Sequence, residues 1–128
     1  MGRSEHMLGE LQRALERLEE AVSRPATSDL LRAGCIQYFS FTFELAWKTI
    51  QSVARDQGLQ DCLSPRACLR QALAQGWIDD ERAWLAMLAA RNTMAHVYSA
   101  DTALSIYESL SGFAPHLRVL LERLLGVG

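Results

Sequence analysis

Apolar residues recur at Leu8, Leu11, Leu15, Leu18 and Val22, in alternating steps of three and four, with Glu16, Glu19 and Glu20 on the opposite face. That repeat holds side chains on one face of a 3.6-residue helix, so it predicts an amphipathic first helix with a narrow apolar seam. Pro25 ends it, and Ser28-Asp29 supplies the N-cap of the next. The second helix is expected from Asp29 to Gln57, closed by Gly58. Its first half is amphipathic through Leu30, Leu31 and Ile36, but from Tyr38 to Ile50 it is apolar nearly all round. A helix with more than one apolar face lies at the centre of a bundle or is shared with a partner chain. Phe39, Phe41 and Phe43 alternate as in a strand, yet Glu44 to Ala54 continues at helical spacing with no breaker, which favours the helix.

Ser64-Pro65 reads as a cap followed by proline at the first helical position, opening a short helix that carries Ala67, Leu69, Ala72 and Leu73 to Gly76. Asp79-Asp80 starts the next, with Trp84, Leu85, Met87, Leu88 and Ala89 building an apolar face up to Arg91. Trp77 and Ile78 precede this start and are placed to staple it to the core. Asn92 and Thr93 are the expected exit residues, because both side chains compete with helical backbone hydrogen bonds. Ser99 or Asp101 caps a final helix through Leu104, Ile106, Tyr107, Leu110, Phe113, Leu117, Leu121 and Leu125, which Gly112 and Pro115 are expected to kink or split. No strand pattern or repeat interrupts the series. The fold class is therefore all-α: an up-and-down four-helix bundle with an additional short helix, in a single domain over 1–128. Residues 1–7 carry no periodic pattern and are expected to be disordered or foreign to the natural chain, with Met7 a possible native start.

Composition narrows the function classes. A 49% hydrophobic and 22% charged chain reads as soluble and globular. No apolar run approaches the roughly 20 residues that span a bilayer, and no signal-peptide core is visible, so a cytoplasmic protein is expected. A net charge of −2 argues against a broad basic face for nucleic acid, though a small cleft can still be locally positive. Lys48 is the only lysine, so each arginine must be argued from its neighbours. Cys35, Cys62 and Cys68 form no Cys-x-x-Cys unit and are expected to be reduced thiols. His6, His96 and His116 are scattered without ligand spacing, and neither a metal nor a cofactor is expected.

Candidate chemistry concentrates at Ala90-Arg91-Asn92-Thr93-Met94-Ala95-His96-Val97-Tyr98. In a continuous helix five residues turn the chain by about 500°, which leaves Arg91 and His96 about 140° apart. They converge only if the helix ends inside the stretch or a second copy of the chain supplies the partner. With an exit at Asn92 or Thr93, Arg91 would sit in a last helical turn and His96 and Tyr98 would share a face of an extended connector. Glu44 and Lys48 are spaced for an i, i+4 surface ion pair. Alternatively Glu44 turns into the bundle to orient Arg91, since a buried carboxylate requires a partner.

Arg91-Asn92-x-x-x-His96-x-Tyr98 resembles the Arg-x4-His-x-Tyr signature of the HEPN superfamily of small helical bundles. Phe41-Thr42-Phe43-Glu44-Leu45-Ala46-Trp47-Lys48 looks like the central-helix motif of its nucleotidyltransferase substrate-binding branch, related to HepT toxins. Ser64-Pro65-Arg66 and Asp101-Thr102-Ala103 fit the same group, so the resemblance spans nearly the whole chain. It implies a homodimer that partners a small nucleotidyltransferase, as the toxin half of a toxin–antitoxin pair. It also implies metal-independent RNA cleavage by Arg91 and His96, with Tyr98 receiving AMP; read from the residues themselves, Glu44 is a supporting candidate, and Asn92 either orients the phosphate or simply ends the helix. Histidine titrates near neutrality and can move the proton of a ribose 2′-OH, while arginine binds the scissile phosphate and stabilises its growing charge. The alternatives are a non-catalytic subunit that presents substrate to the nucleotidyltransferase, and a structural helical adaptor. Trp47, Trp84 and the phenylalanines read as core or dimer contacts, since the interleaved basic residues of single-strand binders are missing around them.

Overall fold

The computed structural model describes residues 2–96 and 99–127. Five helices follow in order: α1 (Arg3–Val22), α2 (Asp29–Asp56), α3 (Pro65–Ala74), α4 (Glu81–His96) and α5 (Ala100–Leu125). There is no strand among the described residues. The all-α, five-helix architecture expected from the pattern is the one observed.

The seam of α1 buries Leu11, Leu15 and Leu18 against α2 and α5. α2 touches all four other helices, which is why its middle is apolar on more than one side. Phe39, Phe43, Ala46 and Ile50 form its fully buried face. Phe43 meets Trp84 of α4 with ring centroids 6.3 Å apart, and Phe39 meets Phe113 of α5 at 5.4 Å. The long helices alternate in direction. The start of α1 reaches the end of α2 through Ser4, whose hydroxyl lies 2.7 Å from Ser52 Oγ and donates to Asp56. Late residues of α4 adjoin the early part of α2, and the Tyr107 hydroxyl of α5 accepts the Ala26 backbone N–H at 2.8 Å just before α2 begins.

Local chemistry sets most boundaries. Ser28, Ser64 and Ser99 each accept the backbone N–H three residues on, at 3.1 Å, capping α2, α3 and α5. Gly58 follows α2 at a φ of 71°, a left-handed conformation that costs an L side chain dearly.

Four expectations are corrected. α1 begins at Arg3, because Ser4 is buried and tied to α2, so residues 3–7 are ordered helix. α4 does not exit at Asn92 or Thr93 but runs to His96, since half-buried Met94 packs on the core and continued burial outweighs the weak helix propensity of Asn and Thr. α5 is not split: Pro115 and Ser111 are both exposed, so water can satisfy the carbonyl that the missing N–H would have bonded. Cys62 and Cys68 are not reduced thiols but a disulfide, their Cα atoms 5.0 Å apart where the turn into α3 folds back. Only Cys35 is free, and it is buried.

Candidate functional site

α2 places Glu44 opposite the last third of α4, where Arg91 projects toward it. Arg91 Nε donates to Glu44 Oε1 at 2.6 Å, and both side chains are about one-third exposed, 31% and 32%. The other oxygen, Oε2, accepts the indole N–H of Trp47 at 2.9 Å. The carboxylate is thus held from two sides and fixes the guanidinium. No ion pair joins Glu44 to Lys48 among the described residues; the Lys48 ammonium instead lies 5.8 Å from the Trp47 ring centroid. Of the two readings of Glu44, the structure takes the one that orients Arg91.

A groove of about 350 Å³ opens beside this pair, lined by Ile36, Gln37, Ser40, Glu44, Arg91 and Met94. Arginine carries five N–H donors in a planar fork. One goes to Glu44 and one, from a terminal nitrogen, to Asn92 Oδ1 at 2.9 Å, which leaves three for a ligand. Asn92 is therefore not a helix exit residue; it lies inside α4, exposed, with its amide oxygen on the guanidinium.

His96 is the last residue of α4 and is exposed. Because the helix is continuous from Arg91 to His96, the two side chains leave it about 140° apart and one chain does not aim both at the same point. Tyr98 lies outside the described residues. The structure brings Glu44, Arg91 and Asn92 together and leaves His96 pointing elsewhere.

Three contributors escaped the reading of the sequence. The indole N–H of Trp47 was assigned to packing, although its position three residues after Glu44 on one helix was the available signal. Gln37 and Ser40 share the groove face with Glu44 at steps of three and four, a pattern visible in the chain but silent about which helix face stays open.

Other concavities lie away from this set. One of about 580 Å³ sits at the α1–α2 corner against Arg17, Arg24, Leu30, Leu31 and Tyr38, and a smaller one of about 120 Å³ lies between α3 and α4.

Residues 6–125 match the family described as "Nucleotidyltransferase substrate binding protein like". The chain belongs to this family. It is similar to a "Probable ribonuclease HepT" of Haemophilus influenzae, 31% identical over 100 residues, covering 75% of this chain and 68% of that protein. A crystal structure of a Thermus thermophilus protein superposes with a TM-score of 0.82 at 31% identity, covering 89% of this chain and 98% of that one. A Haemophilus influenzae protein, described as revealing the fold of a substrate-binding domain of a nucleotidyltransferase, superposes with a TM-score of 0.79 at 30% identity, covering 91% and 98%. Among the described residues no helix is long and apolar enough to cross a membrane.

Proposed function

We propose that this chain is a metal-independent endoribonuclease acting as a homodimer in the cytoplasm, and that it is the toxin half of a pair whose antitoxin is a small nucleotidyltransferase. The observation that carries this reading is the Arg91 guanidinium, clamped by Glu44 at 2.6 Å and presenting unused donors to an open groove. A fixed cation in a half-enclosed site is suited to a scissile phosphate.

The continuous helix supports a role for a second copy. Arg91 and His96 diverge on one chain, so His96 acts across a two-fold axis on phosphate held by the partner's groove. Phe41, 58% exposed on the outer face of α2 beside the groove, is the apolar surface that such a partner would cover. In the reaction the ribose 2′-oxygen attacks phosphorus while one His96 takes its proton. The bond to the 5′-oxygen breaks, and the same His96, now protonated, returns the proton to that oxygen, giving a 2′,3′-cyclic phosphate and a 5′-hydroxyl. Tyr98, two residues past His96, is the proposed acceptor of AMP: its phenolic oxygen attacks the α-phosphate of ATP, pyrophosphate leaves, and a base of the nucleotidyltransferase takes the proton. The added charge and bulk would then repel RNA from the groove.

The test is cleavage of mixed cellular RNA in EDTA by the parent, Arg91→Ala and His96→Ala proteins, each first shown to be folded. Cutting by the parent alone supports the assignment. Cutting by all three removes it. If none cuts, the second reading takes over, favoured by the family description and by the likeness to a substrate-binding domain of a nucleotidyltransferase: a non-catalytic subunit that presents substrate to the nucleotidyltransferase.

A further inference from the structure

The groove has more in it than a phosphate needs. Arg91 sits at one end, while Ile36 and Met94 line the rest with apolar surface, and Gln37 and Ser40 add neutral polar groups. Its volume of about 350 Å³ falls in the range of small-ligand sites rather than that of a single anion. Along α2, Ser40 and Gln37 lie about 6 Å and 10 Å from Glu44, at 1.5 Å per residue. Charge at one end, hydroxyl in the middle, and an amide over an apolar floor at the other end follow the order of phosphate, sugar and base in a nucleotide.

The Gln37 side chain is exposed, and no hydrogen bond between described side chains occupies either Gln37 or Ser40. An amide offers one donor and one acceptor in a plane, the pairing that matches adenine at N6 and N7. Met94 is half-buried and packed on the core, so it offers a fixed apolar surface against which a base face can pack, with Ile36 buried at the groove floor. We infer that the α2–α4 groove is a subsite for one nucleotide, with the phosphate on Arg91 and the base read by Gln37, adenine being preferred. The inference rests on the reading of Arg91 as a phosphate ligand, but it does not require that the phosphate be cut.

The separation of roles makes it testable without cleavage. Contacts to phosphate position a nucleotide and act on every base alike, whereas contacts to the base edge discriminate. The purified protein is titrated calorimetrically with AMP, GMP, CMP, UMP and inorganic phosphate at low salt. AMP is expected to bind at least about fivefold tighter than the pyrimidine nucleotides, the discrimination of one bidentate amide pair. Arg91→Ala should weaken all four nucleotides together. Gln37→Ala should bring AMP down to the level of the others, and Gln37→Glu, which keeps the length but loses the amide donor, should do the same. Both Gln37 variants alter an exposed residue and are expected to fold.

The inference is overturned by an AMP preference that survives in both Gln37 variants, by phosphate binding as tightly as AMP, or by the absence of nucleotide binding at millimolar concentration. An AMP preference in a protein that cuts no RNA would leave the subsite standing and remove the ribonuclease reading. RNA cleavage with no base preference would do the reverse.

Discussion

Glu44 is the residue on which the candidate site turns. Its carboxylate accepts from Trp47 at 2.9 Å and from Arg91 at 2.6 Å, so it transmits the position of a packed indole to an otherwise mobile guanidinium. Glu44→Gln keeps the shape and removes the charge. A pair one-third exposed to solvent contributes little to folding, so urea denaturation is expected to change by no more than about 1 kcal/mol. RNA cleavage is expected to fall by roughly 100-fold, since a misplacement of about 1 Å at a reacting centre has that effect. Trp47→Phe, which keeps the ring and loses only the N–H, should fall less. A rate loss that tracks the stability loss would demote Glu44 to a structural role.

Cys35 gives a pH test at the same scale: burial pushes its thiol pKa above the ordinary value of 9.0, with a smaller opposing contribution from a backbone hydrogen bond. The folded protein therefore keeps the thiol proton where the unfolded chain has lost it. This contribution is fully present below pH 9.0 and is lost as pH rises through the higher folded value. Thermal denaturation of the parent and Cys35→Ala should show the parent's steeper decline above that point.

At the scale of the helices, the start of α5 matters most because it follows Tyr98 directly. The Ser99 hydroxyl accepts the Thr102 N–H at 3.1 Å. Ser99→Ala should cost about 1 kcal/mol and Ser99→Asp should largely restore it, read by urea denaturation. This cap was legible in the sequence, as were those at Ser28 and Ser64, because each depends on residues within one turn. The end of α4 was not. Asn92 and Thr93 are weak helix formers, but that preference amounts to only tenths of a kcal/mol per residue. Met94 sits against the core just beyond them, and the Asn92 amide is engaged by Arg91 rather than by the backbone. Pro115 does not split α5 for a related reason: both it and Ser111 are exposed, so water can satisfy the carbonyl left without its helical N–H. Local signals fixed where α2, α3 and α5 begin, and tertiary burial decided where α1 starts and how far α4 and α5 continue.

At the scale of the whole molecule, the central place of α2 was readable from its two apolar faces, while the partner of Glu44 was not. Lys48 stands four residues away and Arg91 forty-seven, and only the packing of α4 on α2 selects the distant one. The Cys62–Cys68 bridge was equally hidden, since it depends on the turn into α3; reducing it should lower stability by about 2 kcal/mol, the loop-entropy value for so short a ring, measured as a shift in the urea midpoint.

What one chain cannot do is aim Arg91 and His96 at one phosphate. If two copies complete the site, Phe41→Asp, a charge placed on an exposed ring, should leave a folded monomer by light scattering and abolish cleavage. Mixing is the sharper measurement. Arg91→Ala and His96→Ala proteins are each expected to be inactive alone, but unfolding and refolding them together at equal amounts would make half the dimers mixed. In a mixed dimer one arginine and one histidine remain, on opposite chains, and two-fold symmetry lets them meet. Cleavage should recover to at most about a quarter of the parent rate, since half the dimers are mixed and each holds one of two sites intact. A site confined to one chain would recover nothing, because neither subunit of the mixed dimer holds both residues.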